Sequence, residues 1–159
     1  KATSKKITYI PFKGGGDVAV QLVGKHIDLT VNNPIEAVAH WKGGSLRALC
    51  VFDTVPMPYP KKITPTQSWK DVPTCKSQGL DVEYLMLRGI FMPPKSTPAQ
   101  VAYFENLFKK VRETPDWNVF METGAFKDTF MTGNAFQEWL LKAEVEHYRL
   151  MKDAGFLSK

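Results

Sequence analysis

The chain has 159 residues, of which 43% are hydrophobic and 23% are charged, and its formal net charge is +5 at pH 7. This composition is ordinary for a globular protein, and the length allows one domain, or one small domain with part of another. The lysines are spread along the chain, so it lacks the concentrated basic face typical of nucleic-acid binding, and no apolar run approaches the roughly 20 residues that span a bilayer. We expect no nucleic-acid partner; the mild positive charge suits an anionic ligand.

The first half of the chain alternates β-rich apolar runs with short helical patterns. The β-rich runs end at proline, glycine or asparagine clusters, and the helical patterns repeat apolar residues every three or four positions. A βαβαβ order of this kind predicts a parallel sheet covered by helices. The predicted strands are residues 7–12, 27–31 and 46–52, and the predicted helices between them are residues 17–25 and 35–41.

The second half begins with a proline-rich segment, residues 54–79, which predicts a long connection over the surface. The helices near the C-terminus have wide apolar faces but few strands beside them, as if they covered a sheet that lies mostly outside this chain. Thr97 is predicted to cap the first of these helices, and Asn134 with Gln137 predicts a capping box for the last. The predicted elements are strands at 82–92 and 127–131 and helices at 98–113, 117–122 and 134–155.

The chain has two cysteines, Cys50 and Cys75, and this number does not show whether the protein belongs to an oxidising or a reducing compartment. Cys50 lies in an apolar run and has the character of a small buried hydrophobe, whereas Cys75 lies in a turn-rich segment. A disulfide between them stays open, because the sequence does not supply the geometry that such a bond needs.

A glycine-rich turn connects the first predicted strand to the first predicted helix. Three glycines allow backbone amides to approach a ligand closely, and the helix terminus adds partial positive charge, so the turn can capture a carboxylate or a phosphate. A tight βα turn without any ligand is the other interpretation. The spacing fits neither a dinucleotide fingerprint nor a P-loop. The turn consists of Phe12, Lys13, Gly14, Gly15, Gly16 and Asp17.

A second junction of the same kind contains Asn32, Asn33 and Pro34. In an open parallel sheet both junctions lie at the carboxyl edge, where ligands usually bind. Asn33 is predicted to be a helix cap, while Asn32 is better placed to point into a crevice.

Catalysis finds no support in the sequence. The three histidines, His26, His40 and His147, have positions typical of structural or solvated side chains. No zinc-protease, dithiol or serine-hydrolase motif occurs. We therefore expect no enzyme activity, no metal and no cofactor.

Several segments resemble, in order along nearly the whole chain, motifs of the receptor family of tripartite tricarboxylate transporters (Bug or TctC type). The resemblance implies a periplasmic solute-binding receptor that captures a small organic acid, such as a di- or tricarboxylate, for the membrane permease subunits of such a system. The resembling segments are YIPFKGGG at 9–16, GKHID at 24–28, NPIEA at 33–37, GGSLRAL at 43–49, DVPT at 71–74 and RGIF at 88–91.

The resemblance also implies a periplasmic-binding-protein-like α/β fold with two domains that close around a ligand cleft. Residues 1–88 would form most of the second domain, and residues 89–159 would return to the first, with the family's amino-terminal portion absent. The ligand-binding residues that it implies are those of the glycine-rich turn and Asn32 and Asn33, with Arg88 near the crossing strand. Asp17 departs from the family pattern, which disfavours an anionic group there or favours an amine.

Two alternatives stay open. An α/β enzyme would use the glycine-rich turn for phosphate, but it would need a base or nucleophile beside Asp17. A truncated fragment would satisfy its exposed faces with a second copy, forming a homodimer by swapping, and would bind the acid weakly or not at all.

Overall fold

The computed structural model describes residue 3 and residues 5–157. Within this part of the chain the regular structure is helical. The helices are α1 (Gly15–Val23), α2 (Pro34–Lys42), α3 (Pro98–Arg112), α4 (Pro115–Gly124) and α5 (Gly133–Ala154), with single 3-10 turns at Trp69–Asp71 and Lys76–Gln78.

The helix starts follow the capping signals in the sequence, with one exception. Asn33 and Thr97 are the N-cap residues of α2 and α3, as predicted, and a proline occupies the first turn after each. The capping box predicted at Asn134 is wrong. The N-cap of α5 is Thr132, whose carbonyl accepts the N–H of Phe136, so Asn134 lies inside the first turn.

The predicted parallel-rich sheet is wrong. About 46% of the residues that the structure describes are helical, and these residues form no strand. Among these residues, β-pairing is limited to two isolated bridges, Val51 with Thr74 in parallel and Lys62 with Ser68 in antiparallel orientation. The segments predicted as strands, residues 7–12, 27–31, 46–52, 82–92 and 127–131, therefore form no ladder.

The backbone hydrogen bonds of residues 46–52, the third predicted strand, are made to a loop and to single residues instead of to a neighbouring strand. The backbone N–H of Val51 donates to the carbonyl of Pro73, and the carbonyl of Val51 accepts from Cys75. The carbonyl of Phe52 accepts from Tyr84. A β-rich sequence pattern indicates only the local conformational preference of a segment. A β-ladder also needs a partner strand at the right distance, and this segment has only a loop and single residues beside it.

The hydrophobic core forms around two tryptophans. The rings of Trp41, near the end of α2, and Trp69 lie 4.7 Å apart, and both side chains are buried with Val72 and Ala125. Half-buried side chains from residues 57–63 pack against this cluster. The proline-rich connection thus supplies core residues, and the prediction that it only runs over the surface is wrong.

Cys50 and Cys75 form a disulfide, with their Cα atoms 4.9 Å apart. The bond lies beside the Val51–Thr74 bridge, and Cys75 is completely buried. This answers the question that the sequence left open.

Side-chain contacts connect residues 1–88 with residues 89–159. Tyr59 donates to the backbone carbonyl of Phe126. The ammonium of Lys127 lies 2.9 Å from the carboxylate of Asp53. Nothing in these contacts marks a boundary at Arg88, and the division into two domains stays a prediction.

Candidate functional site

The N-terminus of α1 has unpaired backbone N–H groups because its N-cap residue has no side chain that could accept from them. Gly14 is the N-cap residue, and glycine has no side chain with which to accept from the first turn. The first bond of the helix runs from the N–H of Val18 to the carbonyl of Gly14, over 3.1 Å. The N–H groups of Gly15, Gly16 and Asp17 thus precede the helical ladder, at the end of the helix that carries partial positive charge.

An open pocket of about 620 Å³ lies beside this helix end. Phe12 borders it with 38% of its surface exposed, and Lys13 and Asp17 bring one cationic and one anionic side chain to its wall. Three residues of the predicted site, Phe12, Lys13 and Asp17, therefore line this pocket, and Gly14 and Gly16 beside them are also exposed. The pocket lining consists of Pro11, Phe12, Lys13, Asp17, Val20 and Gln21.

The second predicted junction lies directly against the first. The side-chain amide of Asn32 donates to the carbonyl of Gly15 over 2.8 Å, and its oxygen accepts from the hydroxyl of Thr30 over 2.7 Å. The amide of Asn32 is thus used to hold α1 next to the start of α2, a contact that the expectation of a crevice-facing side chain did not include. The structure brings the two junctions together without a sheet between them.

Glu36, in the first turn of α2, is the residue of this region that the sequence analysis did not single out. Its carboxylate accepts from the backbone N–H of Asn33 over 2.9 Å and from the side-chain amide of Asn33 over 3.1 Å. The amide of Asn32 approaches it to 3.5 Å. Asparagine followed three residues later by glutamate is a capping-box pattern, so the contact between Glu36 and Asn33 could have been predicted from the sequence. The approach of Glu36 to α1 could not have been predicted in this way.

The Glu36 carboxylate lies against Gly15 so closely that a Cβ atom at this position would overlap it. Gly14 and Gly16, in contrast, have no atom within 4 Å of such a Cβ. Only the middle glycine of the triplet is therefore required by packing.

Arg88 lies in a different environment from the other predicted site residues. Its guanidinium carbon is 4.6 Å from the centroid of the Phe126 ring, which follows α4. This is cation–π geometry. The structure therefore gives Arg88 a ring contact outside the two junctions.

A second pocket, of about 460 Å³, has an acidic and aromatic lining. Burial raises the pKa of Tyr59 at its wall, and the carboxylates of Asp128 and Glu122 raise it further. A wall with two carboxylates and no cationic side chain does not suit an organic acid. The lining consists of Pro58, Tyr59, Pro60, Trp117, Asn118, Met121, Glu122 and Asp128.

The described residues contain no group of three or more histidine, cysteine, aspartate or glutamate side chains that is arranged to hold a metal ion. None of the helices in the described part of the chain has both the length and the apolar character needed to cross a membrane.

In a comparison with protein families, the model of the tripartite tricarboxylate transporter family receptor, TctC, matches residues 1–155. The chain belongs to this family. TctC receptors are periplasmic solute-binding receptors, not enzymes, and they work with the membrane components of tripartite tricarboxylate transporters. The family that the sequence motifs indicated is thus confirmed. Comparison with curated proteins and with solved structures finds no match.

Proposed function

We propose that this TctC receptor captures a small organic acid at the N-terminus of α1 and passes it to the membrane components of its transporter. The observation that carries the proposal is the row of free N–H groups from Gly15 to Asp17, the last of which lines the open pocket that Lys13 also borders. Backbone N–H groups at a helix N-terminus bind carboxylates well, because the donors point at the ligand and the helix dipole favours negative charge.

Lys13 supplies the full positive charge that the helix end alone lacks. Its side chain lines the same pocket as Phe12, whose ring offers apolar contact to the carbon skeleton of an acid. A carboxylate at the helix end would accept from backbone N–H groups and pair with the Lys13 ammonium, and such charge-assisted hydrogen bonds are stronger than neutral ones. The pocket is open to solvent, so the pair contributes modestly to affinity.

The contact between the two junctions gives this site a fixed shape. Asn32 ties the first turn of α1 to the segment that leads into α2, and the hydrogen bond runs to the carbonyl of Gly15. The N–H groups from Gly15 to Asp17 are therefore held in place before a ligand arrives. A site that is ordered in advance loses less entropy on binding.

The test is calorimetric titration of the receptor with a panel of mono-, di- and tricarboxylates and with inorganic phosphate. Lys13→Gln removes the cation of the pocket, and Lys109→Gln on α3 makes the same change of net charge elsewhere. We expect Lys13→Gln to weaken binding of the best acid by about twofold to fivefold, the size of one ion pair near the surface.

The matched control should bind like the wild type. Equal weakening by both variants would mean that only the overall charge matters, and the proposed site would then be wrong. Preferential binding of phosphate would contradict a receptor for organic acids.

A further inference from the structure

We infer that the pocket between the proline-rich connection and α4 is a second binding site, which takes a small organic amine with a carbonyl or hydroxyl acceptor near its ammonium group. The inference does not depend on the proposed function, because this pocket shares no lining residue with the pocket at Lys13. Two separate observations carry it. The wall of this cavity, of about 460 Å³, contains a carboxylate that lacks a cation and an indole N–H that lacks an acceptor.

Glu122, in the last turn of α4, is the carboxylate of this wall that no cation neutralises. It is half-buried, and its side chain has no hydrogen bond or ion pair with any residue that the structure describes. The other carboxylate of the wall, Asp128, pairs with Arg112 over 2.8 Å. Lys127, next to Asp128 in the chain, pairs with Asp53 over 2.9 Å. These cations are therefore occupied, and the pocket keeps the negative charge of Glu122.

Tyr59 brings an aromatic ring and an acceptor to the same wall. Its hydroxyl donates to the carbonyl of Phe126, which leaves the lone pairs of the phenol oxygen as acceptors. Burial raises the pKa of Tyr59, and the carboxylates of Asp128 and Glu122 raise it further, so the negative charge of the wall acts on this hydroxyl. The same negative charge attracts an ammonium group, and the face of an aromatic ring attracts it as well.

The indole N–H of Trp117 is a buried donor, and none of the described residues accepts from it. A buried tryptophan N–H usually has a hydrogen-bond partner, because an unmade bond at a buried donor is costly. Trp117 lines the same cavity as Glu122, so a ligand can supply the missing acceptor. Because the indole N–H only donates, it pairs with a second group of the ligand and not with the ammonium.

The rest of the wall indicates a short organic ligand. Pro58, Pro60 and Met121 offer apolar contact to a carbon chain between the two polar groups. A volume of about 460 Å³ is in the lower half of the range for small-molecule pockets. A metal ion fits less well, because the described residues contain no group of three or more histidine, cysteine, aspartate or glutamate side chains that could hold one.

The test uses three probes of similar size. β-Alaninamide has an ammonium and an amide, propylamine has only the ammonium, and propionamide has only the amide. Titrations are followed by nuclear magnetic resonance of the indole N–H signals, and the signal that is missing in Trp117→Phe belongs to Trp117. We expect β-alaninamide to bind most tightly and to move the Trp117 proton downfield more than propylamine does, because only β-alaninamide brings both the charge and an acceptor.

Two variants separate the charge from the donor. Glu122→Gln removes the carboxylate charge with little change of shape, and we expect it to weaken both amines by about fivefold, the upper end for an exposed ion pair, and to leave propionamide unchanged. Glu144→Gln makes the same change of net charge at an exposed position on α5 and should bind like the wild type. Trp117→Phe should bind β-alaninamide no better than propylamine, because phenylalanine has no N–H.

The inference is wrong if neither amine moves the Trp117 signal, or if Glu122→Gln and Glu144→Gln weaken the amines equally. It is also wrong if propylamine binds the wild type as tightly as β-alaninamide, because the indole N–H then selects nothing. Should Glu122→Gln fold poorly, added salt must weaken both amines in the wild type and leave propionamide unaffected, or the inference is overturned. The acid pocket at Lys13 is tested separately by Lys13→Gln, so the proposed function can fail or stand without this site.

Discussion

Gly15 and Gly16 are neighbours in the first turn of α1, yet a methyl group meets different surroundings at each. At Gly15 it would overlap the Glu36 carboxylate, which is held by the two asparagines, whereas at Gly16 it would meet open space. We expect Gly15→Ala to destabilise the protein by about 1–2 kcal/mol, the cost of displacing a hydrogen-bonded charged group.

Gly16→Ala is the matched control, and it should be neutral or stabilise by about 0.5 kcal/mol, because alanine loses less backbone entropy than glycine in a helix. Urea unfolding of both variants measures the difference. Equal effects of the two substitutions would mean that the Glu36 carboxylate moves aside at no cost.

Asp71 gives a prediction about acid stability. The hydroxyl of Ser68 lowers the pKa of Asp71 from 3.8 to about 2, with further contributions from the backbone N–H of Ser68 and from the ammonium of Lys62. Because the pKa is lower in the folded state, the stabilisation is complete above the unfolded value and is lost as the pH falls from about 4 to about 2. Asp71→Asn should therefore flatten the pH dependence of the unfolding free energy in this window.

Asp81→Asn is a suitable comparison, because Asp81 is an exposed carboxylate that pairs with Lys76 alone among the contacts described. Asp81→Asn should therefore change the unfolding free energy at acidic pH less than Asp71→Asn does. Acid titrations followed by circular dichroism at fixed ionic strength would give both curves. If the curves of Asp71→Asn and the wild type superimposed, the lowered pKa of Asp71 would not contribute to the acid stability of the protein.

At the scale of elements, the disulfide joins the run 46–52 to the loop that precedes the second 3-10 turn. The two cysteines are 25 positions apart, so the bond closes a loop of moderate length in the unfolded chain. We expect the double variant Cys50→Ser, Cys75→Ser to lose about 3 kcal/mol of stability, mainly through the greater entropy of the unfolded state. Denaturant unfolding with and without a reducing agent measures this.

The reducing agent should have no effect on the double variant. A wild type that unfolds at the same denaturant concentration in both conditions would show that the bond contributes nothing. Cys75 is completely buried, so reduction is expected to require partial unfolding.

The packing of α2 depends on Trp41 near its C-terminal end. Its ring is buried against Trp69 and Val72, which belong to the proline-rich connection. Trp41→Ala should cost about 3–5 kcal/mol, since it leaves a large cavity, while Trp41→Phe should cost much less. Thermal unfolding monitored by near-ultraviolet circular dichroism checks this, and equal losses for the two variants would argue against a cavity effect.

At the scale of the whole molecule, apolar side chains remain exposed along the segments that were predicted to be strands. Ile7 and Tyr9 are 66% and 70% exposed, and Ile90 and Phe91 are 66% and 65% exposed. In the described part of the chain these segments form no β-ladder. We expect their amide hydrogens to exchange with solvent much faster than those of α1 and α2, because free backbone groups are not protected.

Hydrogen exchange followed by mass spectrometry at several protein concentrations gives the answer. Strong protection of residues 7–12 and 85–92 that increases with concentration would reveal pairing with a second copy. The swapped homodimer stays a prediction, and sedimentation velocity on the same samples would detect it directly.

The sequence by itself determined the family, the helices and several of their first residues. Asn33 and Thr97 mark helix starts through interactions within a few residues, and the family motifs are read from the chain order alone. These features are local, so a single sequence contains the information they need.

Only the tertiary structure decided the pairing of the predicted strands, the partner of Cys75, the core role of the proline-rich connection and the contact between Glu36 and Gly15. Each of these joins residues that are far apart in the chain or in different elements. Periodicity and propensity describe what a segment prefers, and they carry no information about which distant atoms occupy the space beside it.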